Sequence, residues 1–501
     1  MPGPSRPLAA LPFGGAILIA IACAVAGALA EAAGRTAPPP SATPEDATRM
    51  NSVAESYVKL VLAVGQHDAN YVDAFYGPAA WKQAADAAGK RPLPELRAEA
   101  QALLAALAAL APAGTAAPAL SGAAAPAPAG RHLDRSASAA APTKPAAGAA
   151  PAGGRDGEDS EAELLRLRRR YLERQLSALA AHVEALMGAR KSFDEESRAL
   201  YDAVAPTYDA AHFQAILDRV ERLVPGAGPL ATRIEAYRRR FVIPPERVDG
   251  VFRAAIAECR RRTADHVALP PGESFEVEYV KDKPWSAYNW YQGDYHSLIQ
   301  VNTDLPIYID RALDLAGHEG YPGHHVYNAL LEQHLVRGHG WVELTVYPLF
   351  SPQSLIAEGT ANFGVEVVFP GAERVAFERR VLYPEAGLDP ARAATYDRLQ
   401  ELLRQLSYAG NEAARGYLDG KLAREAAQAW LVRYALMSPE RAAQRMRFID
   451  TYRSYVINYN YGLDLVRRYI EARGGTARHP ERRWREFARL ISSPRLPSDL
   501  R

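Results

Sequence analysis

A mostly α fold carrying a small β-sheet is what this 501-residue sequence predicts, on three observations. Apolar residues recur at spacings of three and four through most of the chain, as one face of a helix requires. Ser160 and Pro244-Pro245 stand at points where helices need to start. Strict apolar–polar alternation, the mark of a half-buried strand, is confined to a short central stretch.

From residue 45 the pattern is helical: Met50, Val53, Tyr57, Leu60 and Val64 form one stripe. The same vein continues over 93–109. Residues 111–159 are Ala, Pro, Gly and Ser with few large apolar groups, too little to offset the entropy of ordering them, so they read as a disordered insertion. Ser160-Glu161-Ala162-Glu163 reads as a helix cap, and 164–187 as a long Arg-rich helix whose arginines form a solvated face. Further helices are expected over 192–224, 230–241 and 245–266. The stretch 274–280 alternates and reads as a strand, 285–292 is aromatic-rich, and 295–301 reads as a second strand. After Pro306 the chain reads as helical to its end.

Basic residues number 59 and acidic residues 58, so no basic footprint for nucleic acid is expected. Two cysteines, Cys23 and Cys259, form no disulfide framework, and Cys259 reads as a small packed residue. Arg6 precedes an apolar run from Phe13 to Leu29 that ends at Ala28-Leu29-Ala30, a small-x-small pattern suited to signal-peptide cleavage. Ala20-Ile21-Ala22-Cys23 offers a looser lipoprotein-type site, and an uncleaved N-terminal membrane anchor is the third reading. All three export the protein, to the periplasm or the outer side of the cytoplasmic membrane. The expected organisation is a signal over 1–30, a tether over 31–44 and one helical domain over 45–501.

The chemistry centres on His318-Glu319-Gly320-Tyr321-Pro322-Gly323-His324-His325. A zinc hydrolase needs His or carboxylate ligands, an open coordination position and a carboxylate beside the attacking water. The usual H-E-x-x-H layout supplies these from one helix face. Here Pro322 holds the fifth position, and two solutions remain. Pro322-Gly323 can loop out and leave His324 in the ligand position, since Pro lacks an amide donor and Gly tolerates unusual dihedrals. Alternatively a kinked helix continues and returns His325 to the face of His318, about 10 Å along the axis at roughly 1.5 Å per residue.

The segment resembles the signature of a bacterial family, the domain of unknown function 885, which is grouped with the zincin metallopeptidases near the gluzincins. The family's second motif, Glu-Gly-Trp-Ala-x-Tyr, is similar to Glu358-Gly359-Thr360-Ala361-Asn362-Phe363, with Thr360 for Trp and Phe363 for Tyr; the next acid, Glu366, falls one residue late. The resemblance implies a zincin-like fold with a small sheet beside the metal-site helix. It also implies Zn²⁺ held by His318, His324 and Glu358, with Glu319 as general base. Tyr459-Asn460-Tyr461-Gly462 resembles the family's Tyr-x-x-Gly element, and Tyr459, with Tyr461 behind it, is the expected oxyanion donor.

Other residues are candidates for shaping the cleft. The strand 297–302 is expected to act as the edge that pairs with an extended peptide, with Asn302 near the cleft. Trp285, Tyr288, Trp290, Tyr291 and Tyr295 line the cleft or close the core. Asp314, one turn before His318, either orients its ring or is a solvated acid. His334 and His339 read as ordinary polar residues. The expectation is an exported zinc-dependent peptidase acting on peptide-like substrates. Its rivals are an inactive binding protein of this fold and a hydrolase of non-peptide amides or esters.

Overall fold

In a computed structural model, the described residues are 44–110, 160–283 and 285–501. The expected signal over 1–30, the tether up to residue 43 and the insertion 111–159 lie outside them. Residues 44–501 group into one compact unit. Among the described residues, no helix is long and apolar enough to cross a membrane.

The fold is mostly helical with two small sheets. Helix α1 (Pro44–Gly65) is followed by β1 (Val72–Phe75), α2 (Ala79–Ala88), α3 (Leu93–Ala109) and α4 (Glu161–Leu186). Next come α5 (Phe193–Tyr201), α6 (Ala210–Leu223), α7 (Leu230–Arg238) and α8 (Val248–Ala264). Strands β2 (Ser274–Val280), β3 (Ala287–Gly293) and β4 (His296–Asn302) lead into α9 (Ile309–Leu315) and α10 (His324–Leu331). After β5 (Val346–Pro348) come α11 (Pro352–Val368), α12 (Ala372–Phe377), α13 (Tyr383–Ala386) and α14 (Ala393–Gln405). The last helices are α15 (Ala409–Leu418), α16 (Arg424–Tyr434), α17 (Pro439–Tyr452), α18 (Ile457–Ala472) and α19 (Pro480–Ile491).

The stripe of α1 is buried throughout, in a core shared with α3, α4, α11 and α18. Ser160 caps α4 by accepting a bond from the Glu163 amide at 3.2 Å. The stretch 192–224 is two helices, not one: α5 stops at Asp202, whose φ of 52° is left-handed, and the chain passes Pro206 before Asp209 caps α6. The arginines of α4 are not all solvated either. Arg168 is buried, its Nε donating to Glu343 at 2.6 Å and its Nη1 to Asn51 at 2.8 Å.

The main sheet has the order β2-β4-β3, with β2 parallel and β3 antiparallel to β4. The strand expected at the edge, β4, is therefore central. The edge beside the metal motif is the aromatic stretch, which forms β3. Tyr288, Trp290 and Tyr291 fit a pleated surface. A second sheet pairs β1 with β5, so the helical reading after Pro306 missed a strand.

Helices α11 and α18 cross at two glycines. A Cβ on Gly359 would sit 2.6 Å from the carbonyl of Gly462, and one on Gly462 would sit 2.9 Å from the Leu355 carbonyl oxygen. The two backbones therefore touch where Glu358 and the tyrosines of α18 must meet.

Two outcomes check this packing. Gly462→Val is expected to destabilise the protein by about 1–3 kcal/mol, the usual cost of overpacking, in a denaturant titration. Helix propensity alone favours any side chain over Gly by up to about 1 kcal/mol, so a stability equal to the parent's would remove the close crossing. Glu343→Ala leaves Arg168 buried without its carboxylate and is expected to cost about 3–5 kcal/mol; a loss within experimental error would show that Arg168 is solvated.

Candidate metal centre and its cleft

Helix α9 does not run through the motif. It passes into a single wider turn of π geometry over Ala316–Gly320, which carries His318 and Glu319. Such turns are concentrated at functional sites. The Tyr321 amide donates to Ala316 and the Gly323 amide to Gly317, both closing the turn on itself. Gly323 lies so close to the His318 carbonyl that a Cβ would fall 1.8 Å from its oxygen, so only glycine fits. The chain restarts as α10 with His324 as its first residue. Pro322-Gly323 thus forms a loop, the first of the two alternatives the spacing allowed.

The break turns His324 toward His318. Their Nε2 atoms lie 3.1 Å apart and the ring planes stand at 89°. Glu358, buried on α11, places Oε2 3.4 Å from His318 Nε2. All three ligand atoms fall within 4.8 Å of one another, an arrangement that could hold a metal ion. Oε2 of Glu358 is buried without a hydrogen-bond partner, an unsatisfied acceptor that a cation would satisfy. Oε1 accepts from the Tyr455 hydroxyl at 3.0 Å.

The electrostatics follow from burial and proximity. Burial holds Glu319 up to about 7, with Glu358 adding to the rise and His318 opposing it. Burial and the neighbouring His318 push His324 down to about 4, so its ring is neutral at pH 7, the form that binds metals. For His318 burial acts downward, but the Glu358 carboxylate 3.4 Å away and the charge of Glu319 outweigh it and raise the ring. For Glu358 burial acts upward, but the facing His318 ring holds the carboxylate below its usual range.

His325 points elsewhere. It is fully buried, with Nδ1 2.9 Å from the Ser297 hydroxyl and Nε2 3.0 Å from Glu273. Both ring nitrogens are engaged, and the alternative of His325 as ligand has no geometric support. Glu273 also accepts from the Tyr321 hydroxyl at 2.5 Å and from Arg260 at 2.6 Å. It therefore fixes the residues on either side of Pro322-Gly323-His324.

Tyr459 lines the same cleft, and among the described residues its hydroxyl has no hydrogen-bond partner. Tyr461 does not line it; Arg468 packs over its ring. Asp314 is held by Arg374 at 2.7 Å and has no bond to His318, so it does not orient that ring. Glu366 is paired with Arg467. Asn302 borders the cleft, but its side chain donates to the carbonyls of Lys283 and Trp285 and serves the loop. Trp285, Tyr288 and Tyr291 line the cleft; Trp290 is exposed and donates to Gln300, and Tyr295 lies under Arg337.

Four residues escaped the sequence reading. Tyr455 bonds Glu358, although it stood in a tyrosine stripe that reads as packing. Asn289 of β3 donates to the Glu319 carbonyl at 2.7 Å and ties the edge strand to the motif. Glu273 precedes β2 with no motif around it. Asp73 of β1 lines the cleft, where burial and the charges of Glu358 and Glu319 push it up to about 8. None of these carries a local signal. Only the folded chain brings them to the motif.

No family model matches the chain, and no curated protein matches it. Among solved structures it is similar to a candidate lipoprotein from Colwellia psychrerythraea, at 18% identity and a TM-score of 0.44, over 66% of this chain and 62% of that one. It is also similar to a candidate lipoprotein of unknown function from Shewanella oneidensis, at 17% identity and a TM-score of 0.37, over 63% of this chain and 62% of that one. In both cases the match spans less than two thirds of the other chain's length.

Proposed function

We propose that this protein is a zinc-dependent peptidase of the zincin type, related to the domain of unknown function 885 family, with His318, His324 and Glu358 as ligands. One observation carries the reading: two imidazole nitrogens and one carboxylate oxygen converge within 4.8 Å beside the buried carboxylate of Glu319. The donor set fits the ion. Two nitrogens at about 2.0–2.1 Å from a tetrahedral zinc stand about 3.3 Å apart, against 3.1 Å between His318 and His324. When bound, the zinc polarises the scissile carbonyl and makes water acidic enough to be deprotonated near neutral pH.

The protein's own groups do the rest. Glu319 accepts a proton from the attacking water and returns it to the departing amine nitrogen. Tyr459 has an uncommitted hydroxyl in the cleft and donates to the oxygen of the scissile carbonyl as charge develops there. Tyr455 holds Glu358 in place through its hydrogen bond, a positioning role. The apolar N-terminal run places the reaction outside the cytoplasm.

A peptide is favoured over a small ester or amide on two counts. The cleft encloses about 2470 Å³, well beyond the roughly 300–1,000 Å³ of small-molecule pockets. Among the described residues β3 forms ladder hydrogen bonds with β4 alone, and its Tyr288 and Tyr291 line the cleft beside the motif, where an extended chain can lie along the strand.

Glu319→Gln is expected to lower turnover of a broad peptide library by about 10²–10⁴-fold while zinc content by elemental analysis stays at the parent level. Retained activity would remove Glu319 as the base. His318→Ala is expected to lose the zinc itself, and a metal-loaded, fully active His318→Ala would sink the ligand assignment. Tyr459→Phe is expected to lower kcat by about 10²–10³-fold, with little change in KM, if its hydroxyl stabilises the oxyanion; a rise in KM alone would assign Tyr459 to substrate binding instead.

A further inference from the structure

One arginine of the cleft wall has no acid paired with it among the described residues. Arg445, on α17, lines the same cavity as His318, Glu319 and Glu358. Its Nε is buried without a hydrogen-bond partner, and among the described residues no acid pairs with its guanidinium. Its neighbours are the ring of Phe448, at 4.7 Å from the guanidinium carbon, and the helix around Gly410. Burial pushes the group below its usual value, the direction expected of a desolvated charge that lacks an anion. Nε of Arg238 and of Arg483 on the same wall is also buried without a hydrogen-bond partner, while other wall arginines are held by acids. Arg374 is clamped by Asp314 and Glu378, and Arg467 by Glu366 and Asp464.

Arg445 is half-buried, with only its Nε removed from solvent, so an arriving anion would pair a donor that the protein leaves unpaired. The planar fork of arginine matches a carboxylate with two parallel hydrogen bonds. Position supports the same idea. The Phe448 ring beside the guanidinium has its centroid 6.3 Å from that of Tyr459, so one aromatic ring separates Arg445 from the proposed oxyanion donor. A few residues of extended peptide, at about 3.3–3.6 Å each, span such a gap.

We propose that Arg445 binds a carboxylate of the substrate, so that the protein acts on peptides presenting a free carboxylate a short distance from the scissile bond. This rests on the peptidase reading above. Two sources supply that chemistry: the C-terminus of a short peptide, or an Asp or Glu side chain within it.

The test uses three matched tri- to hexapeptide libraries: free C-termini without acidic residues, C-terminal amides without acidic residues, and C-terminal amides containing Glu. Hydrolysis is followed with the parent protein, and binding is measured by calorimetry with zinc-loaded Glu319→Gln. One of the two carboxylate libraries is expected to bind about 10- to 100-fold more tightly than the neutral amides, the scale of a charge-assisted pair. The one preferred identifies the source. Arg445→Met is expected to erase the preference without changing binding of the neutral amides, and Arg445→Lys to keep part of it. Equal or absent binding of all three libraries by Glu319→Gln overturns the proposal without needing any Arg445 variant to fold. Charge-selective binding with no hydrolysis would instead sink the peptidase reading and leave Arg445 as an anion-recognition group. Hydrolysis indifferent to the carboxylate would leave the peptidase reading and remove this one.

Discussion

The backbone contact between Gly359 and Gly462 is the constraint on which the site depends. A Cβ at either position would meet the partner helix inside 3 Å. Without side chains there, α11 and α18 approach until Glu358 comes within hydrogen-bonding distance of Tyr455 and Tyr459 reaches the same cleft. Gly359 stands directly after Glu358, and Gly462 stands three residues after Tyr459, so each glycine sets the approach of a helix that carries a cleft residue.

The second constraint is the break at Pro322-Gly323. A continuous helix would carry His318 and the following histidines on one cylinder, six or seven positions apart. The π turn and the loop shorten that path, so that His324 begins a new helix facing His318. The loop is clamped from outside by Glu273, which bonds both Tyr321 and His325, and from the sheet by Asn289. The rings of His318 and His324 are thereby held in place by the protein itself. Preorganisation of this kind reduces the ordering cost of binding.

The histidines, Glu319 and Glu358 were legible because they lie in short segments whose residue types and spacing carry a mechanism. The helical class and the main sheet were legible from periodicity. The order of that sheet was not, since alternation marks a strand without saying which neighbour it takes. The aromatic run over 285–292 gave no clean alternation, yet it became the edge beside the motif. Nor could the chain between Ser192 and Val224 show by periodicity that it breaks at Asp202, where the backbone turns left-handed. Asp73, Tyr455 and Arg445 come to the cleft from separate helices and strands, so their roles exist only in three dimensions.

The uncommitted Tyr459 hydroxyl, the buried Glu319 and the β3 residues that line the cleft all surround one cluster, that of His318, His324 and Glu358. The most direct measurement is therefore anomalous diffraction at the zinc absorption edge from crystals grown with zinc. The expected result is one strong peak bounded by Nε2 of His318, Nε2 of His324 and the Glu358 carboxylate, with His325 still bound to Glu273. A peak at any other set of side chains, or ligand rings turned apart with no peak between them, would contradict the metal centre.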